Sequence, residues 1–409
     1  MTAHTERAHA KLSPSASHRW MECPGSIRMS EGIEQGSSVF ADEGTAAHEL
    51  AAHCLNTGFD PDRFLNYVVD IKAKSASTRF LMPGTPIDNG IGRFQIDEEM
   101  AEGVDLYVNY VRGLIDPGDE FEVEYRFDLQ HISSGMFGTG DVIIYKIKTA
   151  HLIVPDFKYG RGVAVEPDEN PQALSYGCGA IKRYGNRPLA KVTLAIVQPR
   201  CAHPKGPIRE WETTAMDVLE FEQTLREAAV ATELPDAPLK AGEWCRFCPA
   251  AAICPALRAK ANAIATAGFE EAIEPQKMAP EQLAAALAEV DILEQWAARV
   301  RGYAHDQAVA GIKVPGWKLV AKRATRKWRD EASAAEQLML LHEIPRSSLY
   351  VEEMISPAVA EKLMPGRNKE VRAKALDSLV TKQSSGAVLV PEDDKRPALI
   401  STDGSEFND

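Results

Sequence analysis

Two acidic residues and a lysine stand at a spacing that suits metal-assisted hydrolysis. Asp156 and Lys158 lie at the end of an apolar run, HLIVPDF (151–157). Side chains two apart on a strand point to the same face, so the acid and the amine project together. Asp141 opens the preceding apolar run, DVIIY (141–145). Two carboxylates beside a lysine are suited to holding a divalent cation against a phosphate.

The triplet Asp156-Phe157-Lys158 is a common pattern when taken alone. The chain contains two more, Asp70-Ile71-Lys72 and Asp393-Asp394-Lys395. Only the first ends an apolar strand, precedes a predicted helix and has a second acid on a neighbouring strand. This context favours a catalytic role for the first triplet over the other two.

Two strands and a helix must position these residues. The runs at 141–145 and 151–157 are close enough in the sequence to pair as neighbouring strands across the turn KIKTA. Residues 167–184 are predicted to form a helix, which places Gln172 and Tyr176 one turn apart on the same face. A polar helix edge is therefore expected beside the two acids.

The rest of the chain extends this pattern on both sides. Ser13 and Pro14 suit the start of a helix, as its cap and its first residue. The order of helices and strands predicts an α/β fold with a small mixed sheet flanked by helices. The other predicted helices span Ala46–Leu55, Asp97–Leu114, Met216–Leu234 and Ala279–Ala310, and the other predicted strands span Phe121–Phe127 and Lys191–Gln198.

Cysteines form the second group with recognisable chemistry. Cys245, Cys248 and Cys254 follow the spacing C-x2-C-x5-C, in a chain with seven cysteines in all. Three thiolates need a fourth ligand to close a metal site. Zinc and an iron–sulfur cluster both suit cysteine, and the spacing does not choose between them. The candidates for the fourth ligand are Cys23, Cys201 and His203.

A basic and aromatic segment lies near the C-terminal third, WKLVAKRATRKWR (317–329). Cations that follow phosphates, with rings that stack on bases, suit single-stranded nucleic acid; an exposed hairpin with a solvated cationic face is the equal alternative. Arg200, at a strand end, is predicted either to contact phosphate or to be a solvated loop residue. The candidate nucleic-acid contacts in the segment are Trp317, Lys322, Arg323, Arg326, Lys327 and Trp328.

Composition excludes several classes of protein. A net charge of −13 argues against a protein that coats nucleic acid through bulk charge, although a local basic groove remains compatible with it. No apolar run approaches the roughly 20 residues that span a bilayer, and the N-terminus lacks a signal-peptide core. We therefore expect a cytoplasmic protein without a membrane partner, whose cysteines bind metal or are buried thiols.

Taken together, the motifs resemble those of the RecB-like nucleases of the PD-(D/E)XK superfamily. The segment LSPSASHRWMECPGS (12–26) is also similar to a group of these nucleases encoded by phages and prophages. The resemblance covers roughly residues 12–258. It rests on motif residues in the family's order, namely His48 in EGTAAHE, Asp141 in GTGD, Asp156 and Lys158 in PDFK, and Gln172 with Tyr176 in QALSY.

The resemblance implies a role for each motif residue. His48, Asp141, Asp156 and the backbone carbonyl of Phe157 would ligate Mg²⁺ or Mn²⁺. Lys158 would orient the attacking water or stabilise charge on the phosphate. Gln172 and Tyr176 would position the DNA backbone.

The cysteines carry a second resemblance, to the iron–sulfur staple of the AddB-type and CRISPR-adaptation-type branches of these nucleases. It implies a [4Fe-4S] cluster that ties the N-terminal helix to the segment after the sheet. The cluster ligands would be Cys23, Cys245, Cys248 and Cys254.

The expected function is a metal-dependent DNA exonuclease that acts on single strands or ends in phage recombination or replication. Its expected partners are DNA and a phage annealing or DNA-binding protein, and the chain can oligomerise. The alternative is a nuclease fold that serves as a DNA- or partner-binding scaffold with an idle metal site. The expected domains are a disordered N-terminus (1–12), the nuclease domain (13–265), a mostly helical accessory domain (266–383) and a disordered acidic tail (384–409).

Overall fold

The computed structural model describes residues 10–317, apart from 34–37, 74, 76–78, 88–91, 162 and 271–278. The chain divides into two compact units, residues 1–315 and 316–409, and the fold below is that of the first. Of the predicted nucleic-acid segment, only Trp317 is described, and its side chain is exposed. Lys322, Arg323, Arg326, Lys327, Trp328 and the predicted acidic tail lie outside the described residues.

A five-stranded mixed sheet forms the centre of this unit, in the order β4-β5-β6-β7-β8. Strands β6 and β7 run parallel, while the other neighbours run antiparallel. The prediction of a small mixed sheet is confirmed, with one more strand than the sequence indicated. The strands are β4 (Glu120–Asp128), β5 (Phe137–Lys146), β6 (His151–Phe157), β7 (Lys191–Val197) and β8 (Ile208–Thr213).

Helices cover both faces of the sheet, which is why its central strands are apolar in nearly every position. Alternate residues of β6 divide between two cores: Leu152 and Val154 pack on one side, Ile153 and Phe157 on the other. The first side is covered by α5 (Pro171–Tyr184) and α6 (Ala215–Glu233), and the second by α3 (Val39–Thr57) and α4 (Glu98–Leu114). Helix α5 connects β6 to β7 as a crossover.

The remaining elements lie before and after this core. Residues 58–95 include a three-stranded sheet that periodicity did not reveal, because its strands are only two or three residues long. It consists of β1 (Val68–Asp70), β2 (Phe80–Leu81) and β3 (Arg93–Gln95). The other helices are α1 (Ser17–Glu22), α2 (Ser26–Met29), α7 (Pro255–Glu270) and α8 (Pro280–Val309). Among the described residues, no helix is both long and apolar enough to cross a membrane.

Several predicted helix starts are corrected. Helix α3 begins at Val39, capped by the Ser38 side chain, so His48 lies in its third turn rather than near its start. Helix α5 begins at Pro171, four residues later than predicted, where the Asn170 side chain accepts hydrogen bonds from two backbone N–H groups. A 3₁₀ turn at Pro14–Ala16 precedes α1, and the side chain of Ser13 does not cap it.

The N-terminal segment belongs to the core rather than lying over its surface. Ala10 and Leu12, both within the stretch predicted to be disordered, are buried. Trp20 is fully buried, and its indole N–H donates to the Ser13 carbonyl (3.1 Å). Gly138 in β5 makes room for this segment, because a Cβ there would lie 2.7 Å from Pro14 Cγ.

Phe127 of β4 fills a space that two glycines leave open. A Cβ on Gly140 of β5 would lie 2.5 Å from its ring, and a Cβ on Gly179 of α5 would lie 2.7 Å from its Cβ. The ring is fully buried and stacks on Tyr176 (5.4 Å between centroids). The close approach of α5 to the sheet, which positions Tyr176, therefore depends on both glycines.

Gly179→Ala should destabilise the fold, although alanine favours helices elsewhere. The added methyl meets Phe127 near its backbone, where the ring cannot swing away, so we expect a loss of roughly 1–3 kcal/mol in the free energy of unfolding. Gly113→Ala is the matched control, because Gly113 is an exposed helix residue with open space around its Cα. It should be neutral or stabilise by up to about 1 kcal/mol. Equal effects in urea unfolding would contradict this account.

Candidate metal centre

Asp141 lies where strands β5 and β6 separate. Their pairing ends at Ile144↔Ile153. If the same register continued, Asp141 would lie opposite Asp156. In the gap, Asp141 Oδ2 accepts a hydrogen bond from the backbone N–H of Phe157 (2.6 Å). A carboxylate thus takes the place of a backbone acceptor, and it satisfies an N–H that would otherwise be left unpaired by the divergence of the strands.

In two strands, the regular alternation of side chains between the two faces of the sheet is interrupted. This change of face turns Asp141 towards helix α3. In β5, Gly140 faces Phe127 on the α5 side, whereas Val142 packs in the core under α3 and α4. Residues two apart normally share a face, so the alternation changes at Asp141. Strand β4 changes at the same level, between Val123 and Tyr125.

The change of face in β4 occurs at Glu124. The pairs on either side, Val123↔Val142 and Tyr125↔Gly140, place Glu124 opposite Asp141. Its backbone is left-handed, with φ of 55°, which costs a residue other than glycine about 1–2 kcal/mol. Two acids from adjacent strands are in this way brought to one end of the sheet.

His48 completes a group of three side chains that could ligate a metal ion. Its Nδ1 lies 2.9 Å from Asp141 Oδ1, and its ring lies against Phe157 (5.2 Å between centroids). One ligand atom each from His48, Glu124 and Asp141 lie within 4.8 Å of one another. A small pocket, open to solvent on one side, is lined by these three residues together with apolar side chains of α3, α4 and β4.

Sequence reasoning missed Glu124. Glu120, Glu122 and Glu124 alternate along β4, a pattern that predicts one solvated face of an edge strand. Glu120 and Glu122 do pair with arginines of the α5 region at the surface. Only the left-handed backbone separates Glu124 from them, and no residue type in this stretch signals it.

A second set of polar side chains lies on the α5 side of the sheet. Lys158 Nζ lies 2.7 Å from Asp156 Oδ2, an ion-pair contact, and donates to Gln172 Oε1 (3.0 Å). Gln172 Nε2 in turn donates to the Tyr176 hydroxyl (3.2 Å). One chain of contacts therefore joins four predicted residues, namely Asp156, Lys158, Gln172 and Tyr176. Asp156 is buried, with 5% of its surface exposed.

The carbonyl of Phe157 points into the gap beside Asp141. The next N–H, that of Lys158, donates to the Val197 carbonyl of β7 (2.8 Å). In a trans peptide the C=O and N–H point in opposite directions, so the Phe157 carbonyl is directed away from β7. The described residues contain no cis peptide bond. Of the four predicted metal ligands, His48 and Asp141 are in contact, while Asp156 lies outside the group that they form with Glu124.

Burial and charge give these groups unequal proton affinities. Burial raises the pKa of Asp156, and the nearby charge of Asp141 adds to this against the opposing effect of Lys158. Burial acts on Asp141 as well, but His48 and the Phe157 N–H outweigh it and lower the pKa. For His48, burial lowers the pKa, yet the charges of Asp141, Glu124 and Asp156 prevail and raise it to about 9.

Arg200 does not have the role of a solvated loop residue. Its side chain is 9% exposed, and its guanidinium lies over the Tyr159 ring and forms ion pairs with Glu43 (3.0 Å) and Glu99 (3.3 Å). These contacts connect the segment after β7 to α3 and α4. A phosphate would have to displace them to reach Arg200.

Four buried cysteines form a separate cluster. Cys245, Cys248 and Cys254 share a small core with Trp296 of α8. Burial raises the pKa of Cys23, and the neighbouring thiols of Cys248 and Cys254 contribute to the rise. Cys23 is therefore the fourth thiol of the group. The other candidates lie elsewhere: Cys201 contacts the Ala202 carbonyl, and His203 pairs with Glu166 (2.7 Å).

The backbone brings Cys23 to this cluster across more than two hundred residues. The Gly25 N–H donates to the Pro238 carbonyl (3.0 Å), and the Lys240 N–H donates to Cys23 Sγ (3.3 Å). Gly25 is required by the closeness of the two segments, because a Cβ there would lie 2.6 Å from the Ala237 carbonyl. The segment Cys23-Pro24-Gly25 is thus a docking element for residues 237–240.

Comparison with protein families places the chain in one of them. A family profile described as "Protein of unknown function (DUF2800)" matches residues 9–397, and the chain belongs to this family.

Metal binding at His48 should release a proton. With a pKa of about 9, its imidazole is protonated at pH 7, whereas a metal ligand must be neutral. Mn²⁺ affinity should therefore rise about tenfold per pH unit between pH 7 and 9 and level off above. Calorimetry in buffers of different ionisation enthalpy should count about one proton per ion at pH 7.

His48→Gln should bind Mn²⁺ more weakly, with an affinity that no longer rises between pH 7 and 9. A wild-type affinity that stays constant over this range would show that His48 is neutral or is not a ligand.

Proposed function

We propose that this DUF2800 protein is a metal-dependent DNA nuclease built on a RecB-like PD-(D/E)XK core, acting as an exonuclease on single strands or ends. One observation carries the proposal: His48, Asp141, Asp156, Lys158 and Gln172 converge at the open end of one mixed sheet. They come from four separate segments of the chain, and hydrogen bonds or ion pairs join them into two adjoining groups. Convergence from distant positions is far less common by chance than a single Asp-x-Lys triplet.

The donor set fits a hard divalent cation. Carboxylates and a backbone carbonyl are the ligands that Mg²⁺ and Mn²⁺ prefer, and an imidazole favours Mn²⁺ of the two. His48, Asp141, Asp156 and the Phe157 carbonyl would hold the ion. Bound there, the cation would supply Lewis-acid polarisation of the phosphate and a more acidic water.

The side chains around the centre would orient the phosphodiester. The Lys158 ammonium, next to Asp156, would donate to the non-bridging phosphate oxygen or to the attacking water, and would stabilise the negative charge that develops there. Gln172 holds Lys158 at one end and Tyr176 at the other, so it would fix the direction of the ammonium. Tyr176 is buried against Phe127, so it would position the DNA backbone through Gln172, which its hydroxyl contacts.

The cysteine cluster supports the second part of the proposal, a [4Fe-4S] cluster held by Cys23, Cys245, Cys248 and Cys254. Zinc would draw four thiolates to about 3.8 Å from one another, given Zn–S bonds of about 2.3 Å. Among these four described cysteines, no three sulfur atoms come within 4.8 Å of one another. This wider spacing favours a group with several irons between the thiolates. N–H groups directed at Cys23 and Cys245 would stabilise their charge.

Substrate and setting follow from the same proposal. DNA would reach an acidic protein through local cations, and the segment 317–329 is a source of these. We place the protein in the cytoplasm of a bacterial host, encoded by a phage or prophage, where it would work with a strand-annealing or other DNA-binding protein in recombination.

Loss of the central acid or lysine should abolish DNA hydrolysis. Asp156→Asn removes a metal ligand and Lys158→Ala removes the charge next to the phosphate, so we expect each to lower the rate by at least about 100-fold. The measurement is the digestion of single strands labelled at the 5′ or 3′ end, with Mn²⁺ or Mg²⁺.

The matched control is Lys72→Ala, which alters the exposed lysine of another Asp-x-Lys triplet and should leave the rate unchanged. Full activity of both site variants would refute the nuclease. Tight DNA binding without hydrolysis in any metal would instead favour the scaffold alternative.

The cysteine cluster predicts a brown protein after anaerobic purification, with about four irons per chain. Cys248→Ser should lose the colour and lower the thermal stability, because the two segments would no longer be held together through the cluster. Cys201→Ser should keep both, since Cys201 lies away from the four thiols. A colourless protein with one firmly bound zinc would contradict the assignment.

A further inference from the structure

We infer that the open face of the β4–β5 ribbon (residues 125–128 and 137–140) binds the single strand whose phosphate lies at the metal centre. A base of that strand would stack on the pair formed by Arg126 and Phe137, and the guanidinium would contact a neighbouring phosphate. The inference deepens the proposed nuclease and rests on it, because the strand is the substrate of that enzyme. It gives a role to two residues outside the sequence motifs.

The ribbon continues past the open end of the sheet. Strands β4 and β5 pair as far as Asp128↔Phe137, whereas β5 pairs with β6 only from Ile144 to Lys146. The ribbon is therefore two strands wide where it passes the gap between β5 and β6. Asp141 directly follows it in β5, so a strand bound along the ribbon would lead to the metal centre.

One face of the ribbon is covered and the other is open. Phe127 and Gly138 are opposite each other and buried, against α5 and the N-terminal segment. Side chains alternate along a strand, so Arg126, Phe137 and Thr139 point to the opposite face. There Arg126 is exposed, while Phe137 and Thr139 are half-buried. Among the described residues, Phe137 belongs to neither of the two cores of the sheet.

Arg126 and Phe137 form a pair on the open face. Arg126 is paired with Thr139, which puts Phe137 diagonally across from it. The guanidinium Cζ lies 3.7 Å from the centre of the Phe137 ring. Aromatic rings and guanidinium planes are both surfaces on which nucleic-acid bases stack. The pair therefore offers a stacking surface together with a positive charge for the backbone.

The charge of Arg126 is available to a phosphate. The other basic residues of β4, β5 and α5 each pair with a carboxylate, and these are Lys146, Lys182 and Arg183. Within the described part of the chain, Arg126 forms no ion pair. Asp128, opposite Phe137, is engaged by Lys182 (3.1 Å). In a protein with a net charge of −13, a cation of this kind beside the metal centre is complementary to a nucleic-acid backbone.

The distance to the metal centre sets the length of strand that can reach the pair. Phe137 lies four residues from Asp141 along β5, which is about 13 Å at the rise of a β-strand. Stacked bases rise about 3.4 Å each along one strand. The stacked base would therefore be about four nucleotides from the phosphate at the metal centre, and a dinucleotide would not reach the pair.

The experiment measures binding of the full chain to two strands of about twelve nucleotides, one of thymidines and one abasic with the same phosphates. Fluorescence anisotropy is recorded with a chelator present, which stops metal-dependent hydrolysis. Phe137→Ala should weaken binding of the thymidine strand at least about fivefold, the loss of one stacked base, and leave binding of the abasic strand unchanged. Phe137→Trp retains a ring and should bind the thymidine strand at least as tightly as the wild-type chain.

Variants of Arg126 separate charge from stacking. Arg126→Gln should weaken binding of both strands and lower the slope of log affinity against log salt by about 0.7, the value for one phosphate contact on a single strand. Arg126→Lys keeps the charge and should therefore keep the slope, while it weakens binding of the thymidine strand more than that of the abasic strand.

A second arginine–phenylalanine pair provides the matched control. Arg63 lies over Phe59 at 4.0 Å, and both side chains are exposed in the segment that follows α3. Phe59→Ala and Arg63→Gln should bind both strands as the wild-type chain does. Equal affinity of the wild-type chain for the two strands overturns the inference, even where a variant fails to fold. Wild-type affinity of Phe137→Ala for the thymidine strand would equally overturn it.

The proposed nuclease and this inference fail separately. Hydrolysis of DNA by a Phe137→Ala chain with wild-type affinity would remove the ribbon surface and leave the nuclease intact. Binding that depends on bases and on Phe137, in a chain that hydrolyses no DNA, would leave the surface and remove the nuclease. Where both hold, Phe137→Ala should lower kcat/KM at least about fivefold on the long strand and leave it unchanged on a dinucleotide.

Discussion

The hydrogen bond from the Phe157 N–H to Asp141 Oδ2 is the contact on which the site depends. The pairing of strands β5 and β6 ends at Ile144, three residues after Asp141 in the chain, and a buried N–H in the gap needs an acceptor. The carboxylate that supplies it is fixed by this bond with one oxygen turned to β6 and the other to α3. The same divergence of strands exposes a backbone carbonyl beside it. The gap between the two strands is therefore lined by carboxylate and carbonyl oxygens. One of them, Asp141 Oδ2, is there because the Phe157 N–H requires an acceptor.

Helix α3 must lie close to this opening for His48 to reach Asp141, and small residues make that approach feasible. Ala46, Ala47 and Ala51 are buried on its inner face beside Leu50 and Cys54, so three of its five buried side chains are small and let the helix lie close. A face with several alanines buries little apolar area. Ion pairs and a hydrogen bond from three other segments also hold the helix in place. Arg200 pairs with Glu43 near the start of the helix, Arg79 pairs with Glu49 in its middle, and Arg112 donates to the Cys54 carbonyl at its end.

Helices and strands were predicted well where a residue pattern repeats. They were predicted poorly where one residue sets the start of an element or the direction of a side chain. Helix α4 was predicted within one residue because Asp97 caps a regular amphipathic run. The start of α3 was missed because the four residues just before Ala46, Asp42-Glu43-Gly44-Thr45, are polar or glycine and interrupt the apolar period. Glu124 was missed for a different reason: its side chain is directed by a left-handed backbone that only the opposite strand imposes. Residue type and spacing therefore identify candidate site residues on regular helices and strands. They do not identify a side chain that a local distortion of a strand redirects.

The N-terminal segment packs against two parts of the molecule that lie far apart in the sequence. Pro14 lies against Gly138 in β5, three residues before the change of face at Asp141, and Tyr176 lies against the same glycine. Eleven residues later, Gly25 docks onto residues 237–240, which carry the backbone towards the other three cysteines. One short segment therefore contacts both the α5 side of the site and the cysteine cluster. A shift of Cys23 would therefore move the same segment that packs beside Gly138 and Tyr176.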